Sequence, residues 1–177
     1  MKNILIVSGH TDLNDSVANK KILDILSEQL PQSRQVHLDK LYPDFAIDVR
    51  AEQEKLIWAD IIVLQFPVFW FSAPSILHRW IEQTFLHGFS HGSKGDKLQG
   101  KKLLLSYTTG APLETVNFDD FFQFIKTTAL FTGMEYGGTV ATGAVSYNMR
   151  ENPEMLAEIN RRATEHAARL LELLKRG

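Results

Sequence analysis

The side chains best placed to do chemistry in this sequence are neither acids nor nucleophiles. They are the aromatics of Pro67-Val68-Phe69-Trp70-Phe71, in a stretch from Ile61 through Leu77 with no charged residue and no histidine. Apolar surface, ring faces and backbone N–H groups suit a large flat heterocycle better than a sugar, a metal or an acyl substrate. A cap over the core or a contact between two copies would use the same aromatics. A second cluster is Ser8-Gly9-His10-Thr11-Asp12-Leu13-Asn14-Asp15-Ser16, where His10, Thr11, Asn14 and Ser16 are side-chain donors ahead of a helical pattern. A helix start carries partial positive charge and unpaired N–H groups, so it is a ready place for phosphate. Lys20 and Lys21 add to that field, and Asp12 and Asp15 oppose it. The single glycine fits neither a Walker loop nor a dinucleotide fingerprint. A plain helix cap by Asp15 or Ser16 is the competing reading. The third cluster, Thr108-Thr109-Gly110, offers two hydroxyls and a flexible backbone for the edge atoms of a ring, or a threonine-capped turn.

The remaining candidates carry less. His87 and His91 have a spacing that would hold a metal on a helix, but they stand in His87–Gly100, a loop punctuated by Gly88, Gly92, Gly95 and Gly100. Their geometry is therefore not fixed, and no metal site is expected. No GxSxG elbow or Ser/His/Asp spacing is present. His78 and His166 read as helix-surface residues. With no cysteine there is no disulfide, thiolate nucleophile or Cys-ligated metal.

The elements that must position these clusters follow from periodicity. Asn3–Val7, Ile61–Leu64 and Lys102–Tyr107 are apolar runs of strand length, as expected for strands buried on both faces. Arg34–Leu38 is a weaker strand, and Met134–Val145 a glycine-interrupted one. Helical stripes follow the first strand (Val17, Ile22, Ile25, Leu26, Leu30, ended by Pro31) and the third (Ile76, Leu77, Trp80, Ile81, Phe85). Ser72 is the expected N-cap of the latter, with Pro74 in its first turn. Ala51–Ala59 and Phe118–Phe131 read as helices, Leu41–Ile47 as connector. Pro153–Lys175 is a long final helix with Ile159, Ala163, Ala167, Leu170 and Leu174 in one stripe.

Five alternations of strand and helix predict an α/β fold, a doubly wound five-stranded parallel sheet in the order 2-1-3-4-5, with helices on both faces. Residues 1–177 form one domain in this reading. The loops after strands one, three and four then meet at one end of the sheet, and they are the three clusters above. Together they describe a planar aromatic ligand ending in phosphate, which flavin mononucleotide or the flavin end of FAD fits best.

Composition sets the outer limits. A hydrophobic fraction of 44% and a charged fraction of 23% describe an ordinary globular chain. The net charge of −2 gives no electrostatic case for nucleic acid or an anionic membrane. No apolar run approaches the roughly 20 residues of a membrane span. The expected location is the cytoplasm, with the N-terminal apolar run read as a strand and not as a signal peptide.

Several motifs carry a family resemblance: Ser8-Gly9-His10 with Ser16-Val17-Ala18-Asn19, Leu41-Tyr42-Pro43-Asp44-Phe45, Phe66 through Pro74, and Thr108-Thr109-Gly110. Across nearly the whole chain they resemble the NAD(P)H:quinone oxidoreductase family of flavodoxin-like proteins. Within it, the short members that include ancillary subunits of glutathione-gated potassium efflux systems are most similar. The resemblance implies two-electron reduction of small-molecule quinones through tightly held FMN or FAD, with NAD(P)H as co-substrate, in a homodimer with active sites at the subunit interface. Two other readings stay open: a redox-sensing regulatory subunit with a potassium efflux transporter of the membrane as partner, and a flavodoxin-type electron carrier. By position it assigns His10, Ser16, Val17 and Ala18 to the flavin phosphate. Pro67, Val68, Phe69, Trp70 and Phe71 are assigned to the isoalloxazine, and Thr108, Thr109 and Gly110 to its N5 side. The tyrosine and histidine that mammalian-type members carry after the TTG motif are absent, since Pro112–Phe118 contains neither.

Overall fold

The strands Ile4–Ser8 (β1), Arg34–His37 (β2), Ile61–Pro67 (β3), Lys102–Thr108 (β4) and Glu135–Thr142 (β5) form one parallel sheet ordered β2-β1-β3-β4-β5. This is a computed structural model describing residues 2–176. Its helices are Ala18–Gln29 (α1), the single turn Leu38–Leu41 (α2), Val49–Trp58 (α3), Ser75–Thr84 (α4), Gln123–Phe131 (α5) and Pro153–Lys175 (α6). The expected architecture and strand order are those observed. Among the described residues no helix is long and apolar enough to cross a membrane.

Every residue of β3 is buried, as its unbroken apolar run requires of a central strand. Alternate residues along the strands feed two cores. Leu5, Ile62, Leu64 and Phe66 pack with Leu56, Leu77 and Trp80 on one face. Ile6, Val63 and Leu104 pack with Ile22 and Leu26 of α1 and with Ile159, Ala163 and Leu170 of α6 on the other. The glycines of β5 have a structural reason. Leu103 pairs with Tyr136 but Leu104 with Gly138, so Gly137 is the extra residue of a bulge. A Cβ on Gly137 would lie 2.6 Å from Leu104 Cδ2, and Gly138 has φ +115°.

Four local expectations are corrected. Ser72 does not cap α4, which starts at Ser75 behind Pro74. Instead the chain folds back on itself, with Phe69 and Ser72 exchanging two backbone hydrogen bonds of 3.0 Å. His166 is not on a surface. It is fully buried, with Nε2 2.8 Å from Ser106 Oγ and Nδ1 2.9 Å from Thr142 Oγ1. Its position three after Ala163 and four before Leu170 puts it on the apolar stripe of α6. His78 is half-buried, 3.0 Å from Ser72 Oγ and stacked on Phe124 at 4.9 Å. Phe118–Phe131 is also not one helix. Its first turns, Phe118–Phe122, are 3₁₀, and α5 continues from Gln123.

Candidate functional site

At the carboxyl ends of β1, β3, β4 and β5 a cavity of about 340 Å³ opens, where open parallel sheets place ligands at the change of winding direction. Its phosphate-loop wall comes from the segment between β1 and α1. There Ser16 Oγ accepts from Asn19 N at 3.2 Å and from Asn19 Nδ2 at 3.4 Å. Ser16 is thus a cap, and with both lone pairs engaged its hydroxyl hydrogen remains free to donate into the cavity. Val17, the N-cap residue of α1, adds no side-chain cap, and no acidic side chain lies in the first turn. The helix start therefore keeps donors for an anion.

Asn19 ties this loop to the sheet. Its Oδ1 accepts from Gln65 Nε2 at 2.6 Å and from Thr108 Oγ1 at 3.1 Å, all three side chains being buried. One amide thus fixes α1 against the ends of β3 and β4. His10 lines the same wall, with Nδ1 accepting from Asp12 N at 3.0 Å. Burial pushes the imidazole pKa down, opposed by the carboxylates of Asp39, Asp12 and Asp15. Neutral with Nδ1 as acceptor, the ring carries its proton on Nε2, a second donor. The ring meets Phe69 edge-on at 6.2 Å.

Pro67, Val68 and Phe69 form the apolar wall. Trp70 and Phe71 do not line the cavity. They form the tip of the turn, with φ of +48° and +61°, the left-handed pair of a type I′ turn. Bulky residues rarely adopt that backbone, and Trp70 is 94% exposed while Phe71 lies 5.2 Å from Phe121. The third wall is Thr108, Thr109 and Gly110. The Thr108 hydroxyl is spent on Asn19, and Thr109 Oγ1 donates to Ala111 O at 2.6 Å. Thr109 N–H is held by Thr142 O at 2.9 Å, which leaves the exposed Gly110 N–H as this loop's donor.

Three of the resembled motifs thus meet in one cavity. A model of the Flavodoxin_2 family, described as a flavodoxin-like fold, matches residues 2–167. The chain belongs to the Flavodoxin_2 family of flavodoxin-like proteins. Among its relatives is the glutathione-regulated potassium-efflux system ancillary protein KefF of Enterobacter sp. (strain 638). The two are 38% identical over 139 residues, covering 75% of this chain and 78% of the relative. The general stress protein 14 of Treponema denticola, solved in complex with FMN, superposes with a TM-score of 0.84 at 25% identity, covering 98% of this chain and 99% of that one. An NADPH-quinone reductase from P. pentosaceus shares the fold, with a TM-score of 0.70 at 23% identity over 92% of this chain and 98% of the other.

A fourth wall of the cavity was not read from the sequence. Val145, Ser146, Tyr147 and Arg150, from the segment after β5, line it together with Ile159 of α6. Tyr147–Glu151 is a 3₁₀ turn that leads into the Asn152 cap of α6. An aromatic and an arginine in a loop at a strand's carboxyl end were the available signal. The glycine-broken strand before them masked where the loop begins. His87 and His91 stand apart from the cavity lining, with ring centroids 5.6 Å apart. Among the described residues no group of 3 or more potential ligands is placed to hold a metal ion.

Proposed function

We propose that this chain is a flavin-dependent NAD(P)H oxidoreductase that reduces quinones or similar acceptors, with FMN, or the flavin end of FAD, in the cavity. The observation that carries the reading is the convergence of an anion-receptive helix start, an apolar wall and a loop N–H around one cavity. The donor set fits the group. Ser16 Oγ–H, His10 Nε2–H and the N–H groups of Val17 and Ala18 at the start of α1 would take its phosphate. Pro67, Val68 and Phe69 would cover a ring face, and Gly110 N–H would meet a ring edge. When bound, the flavin supplies hydride acceptance and donation. The protein holds it, excludes water from one face and leaves the other open. Thr108 and Thr109 act behind this surface, through Asn19 and Ala111, by fixing the loops that touch the ligand.

The exposed aromatic tip of Trp70 and Phe71, beside Phe121 and Phe124, is reason to propose a homodimer in which a second copy covers this edge of the site. The likeness to a potassium-efflux ancillary protein favours a second role, as partner of a membrane transporter.

NAD(P)H and quinone would both have to reach the flavin in this cavity, and the simplest route is for them to take turns on its one open face. Initial rates measured while both substrates vary test this. Parallel double-reciprocal lines are expected. Intersecting lines together with a ternary complex of enzyme, nucleotide and quinone would show two separate pockets and contradict alternation.

A further inference from the structure

Among the described residues Arg150 is the one lysine or arginine side chain that lines the cavity, which Asp12 and Asp15 line as well. Its Nη1 donates to Asp15 Oδ1 at 2.6 Å and to the Asp15 carbonyl at 3.3 Å, so the guanidinium sits beside Ser16, the next residue. Nη2 donates to the Tyr147 hydroxyl, and the guanidinium carbon lies 3.5 Å from the Tyr147 ring centre. A guanidinium has five N–H groups. Nε–H and the second Nη2–H have no protein acceptor among the described residues. The side chain is 30% exposed, so it is held and yet reachable from the cavity.

The charge balance of this end of the cavity needs such a group. His10 Nδ1 accepts the Asp12 N–H and burial pushes its pKa down, and Lys20, in the first turn of α1, is paired with Asp24 at 2.9 Å. A dianionic phosphate at the start of α1 would meet the carboxylates of Asp12 and Asp15, and apart from neutral donors it would have in its favour the helix field, worth about half a charge, and the exposed Lys21. A planar fork with two spare donors supplies the missing charge in a geometry matched to phosphate oxygens.

We propose that Arg150, held between Asp15 and Tyr147, turns its free N–H groups onto the terminal phosphate and makes this site select a phosphorylated flavin over an unphosphorylated one. The assignment rests on the flavin reading above. It makes Arg150 a binding and specificity-determining residue, and Asp15 and Tyr147 its positioning residues.

The test compares FMN with riboflavin, which differ by the phosphate alone, in equilibrium titrations of the full chain followed by flavin fluorescence. The wild type should prefer FMN. Arg150→Gln should weaken FMN at least tenfold and change riboflavin less than twofold, and Arg150→Lys should keep part of the preference. Circular dichroism establishes that both variants are folded. Equal weakening of both ligands would mean that Arg150 merely tethers the loop, and an unchanged FMN preference in both variants would deny it any part. Either result overturns the proposal while the flavin reading stands. A wild type that binds neither ligand would overturn both.

Discussion

Ser16 carries a double duty that a single substitution can separate. Its oxygen accepts from Asn19, and it lines the cavity with a hydroxyl hydrogen left free to donate. Ser16→Asp keeps an acceptor suited to an N-cap but places a negative charge against a phosphate. FMN affinity should fall roughly ten- to hundredfold, in line with about 1.5–3 kcal/mol for a hydrogen bond to a charged group, while thermal stability changes little. Unchanged affinity for FMN would remove Ser16 from the phosphate site. The serine, the histidine and the aromatic wall were legible in the sequence because they follow strands whose ends it marks clearly. The hydroxyls of Thr108 and Thr109 were legible as loop residues but not in direction. Whether a threonine faces ligand or protein depends on Asn19 and Ala111, which periodicity does not bring together.

At the scale of elements, α6 and the β4–β5 edge are joined by a polar chain that runs from the exposed Arg169 to the buried His166. Arg169 Nη2 donates to Thr142 Oγ1 at 2.7 Å, and Thr142 and Ser106 flank the imidazole of His166. Burial, with the positive Arg169 nearby, pushes the His166 pKa from its ordinary 6.5 down to about 3. Between those values the unfolded chain binds a proton at this site and the folded chain does not. Stability must therefore fall as pH drops through the window, by up to about 1.4 kcal/mol per pH unit from this residue. Urea midpoints measured from pH 7 to pH 4.5 should decline more steeply for the wild type than for His166→Gln. Identical slopes would show that His166 does not contribute. The helix itself was read to its bounds, because Asn152-Pro153 marks its start and its stripe is long. The histidine was misassigned because its residue type was weighed above its place on that stripe. Ser72 failed for a different reason. A serine ahead of a proline resembles a cap, but the turn from Phe69 to Ser72 was closed by backbone bonds that no side chain announces.

For the whole molecule, strand order and the meeting of three loops followed from alternation alone, since a right-handed parallel sheet allows few ways to wind. The fourth wall was not visible, because the bulge at Gly137 and the break at Gly143 blur where β5 ends. The strained turn at Trp70 and Phe71 holds Trp70 almost wholly in solvent and Phe71 half-exposed against Phe121, which is the expected state of a surface completed by a second copy. Sedimentation at micromolar concentration should give a dimer, and Trp70→Asp should shift it towards monomer with loss of quinone reduction. A wild-type monomer with full activity would contradict a shared site. More direct still is a titration of the purified, cofactor-stripped chain with FMN, followed by its visible spectrum and fluorescence. One FMN should bind per chain, with its fluorescence quenched against the Phe69 wall. A folded protein that leaves the spectrum and fluorescence of FMN unchanged at micromolar concentrations would contradict the assignment of this cavity.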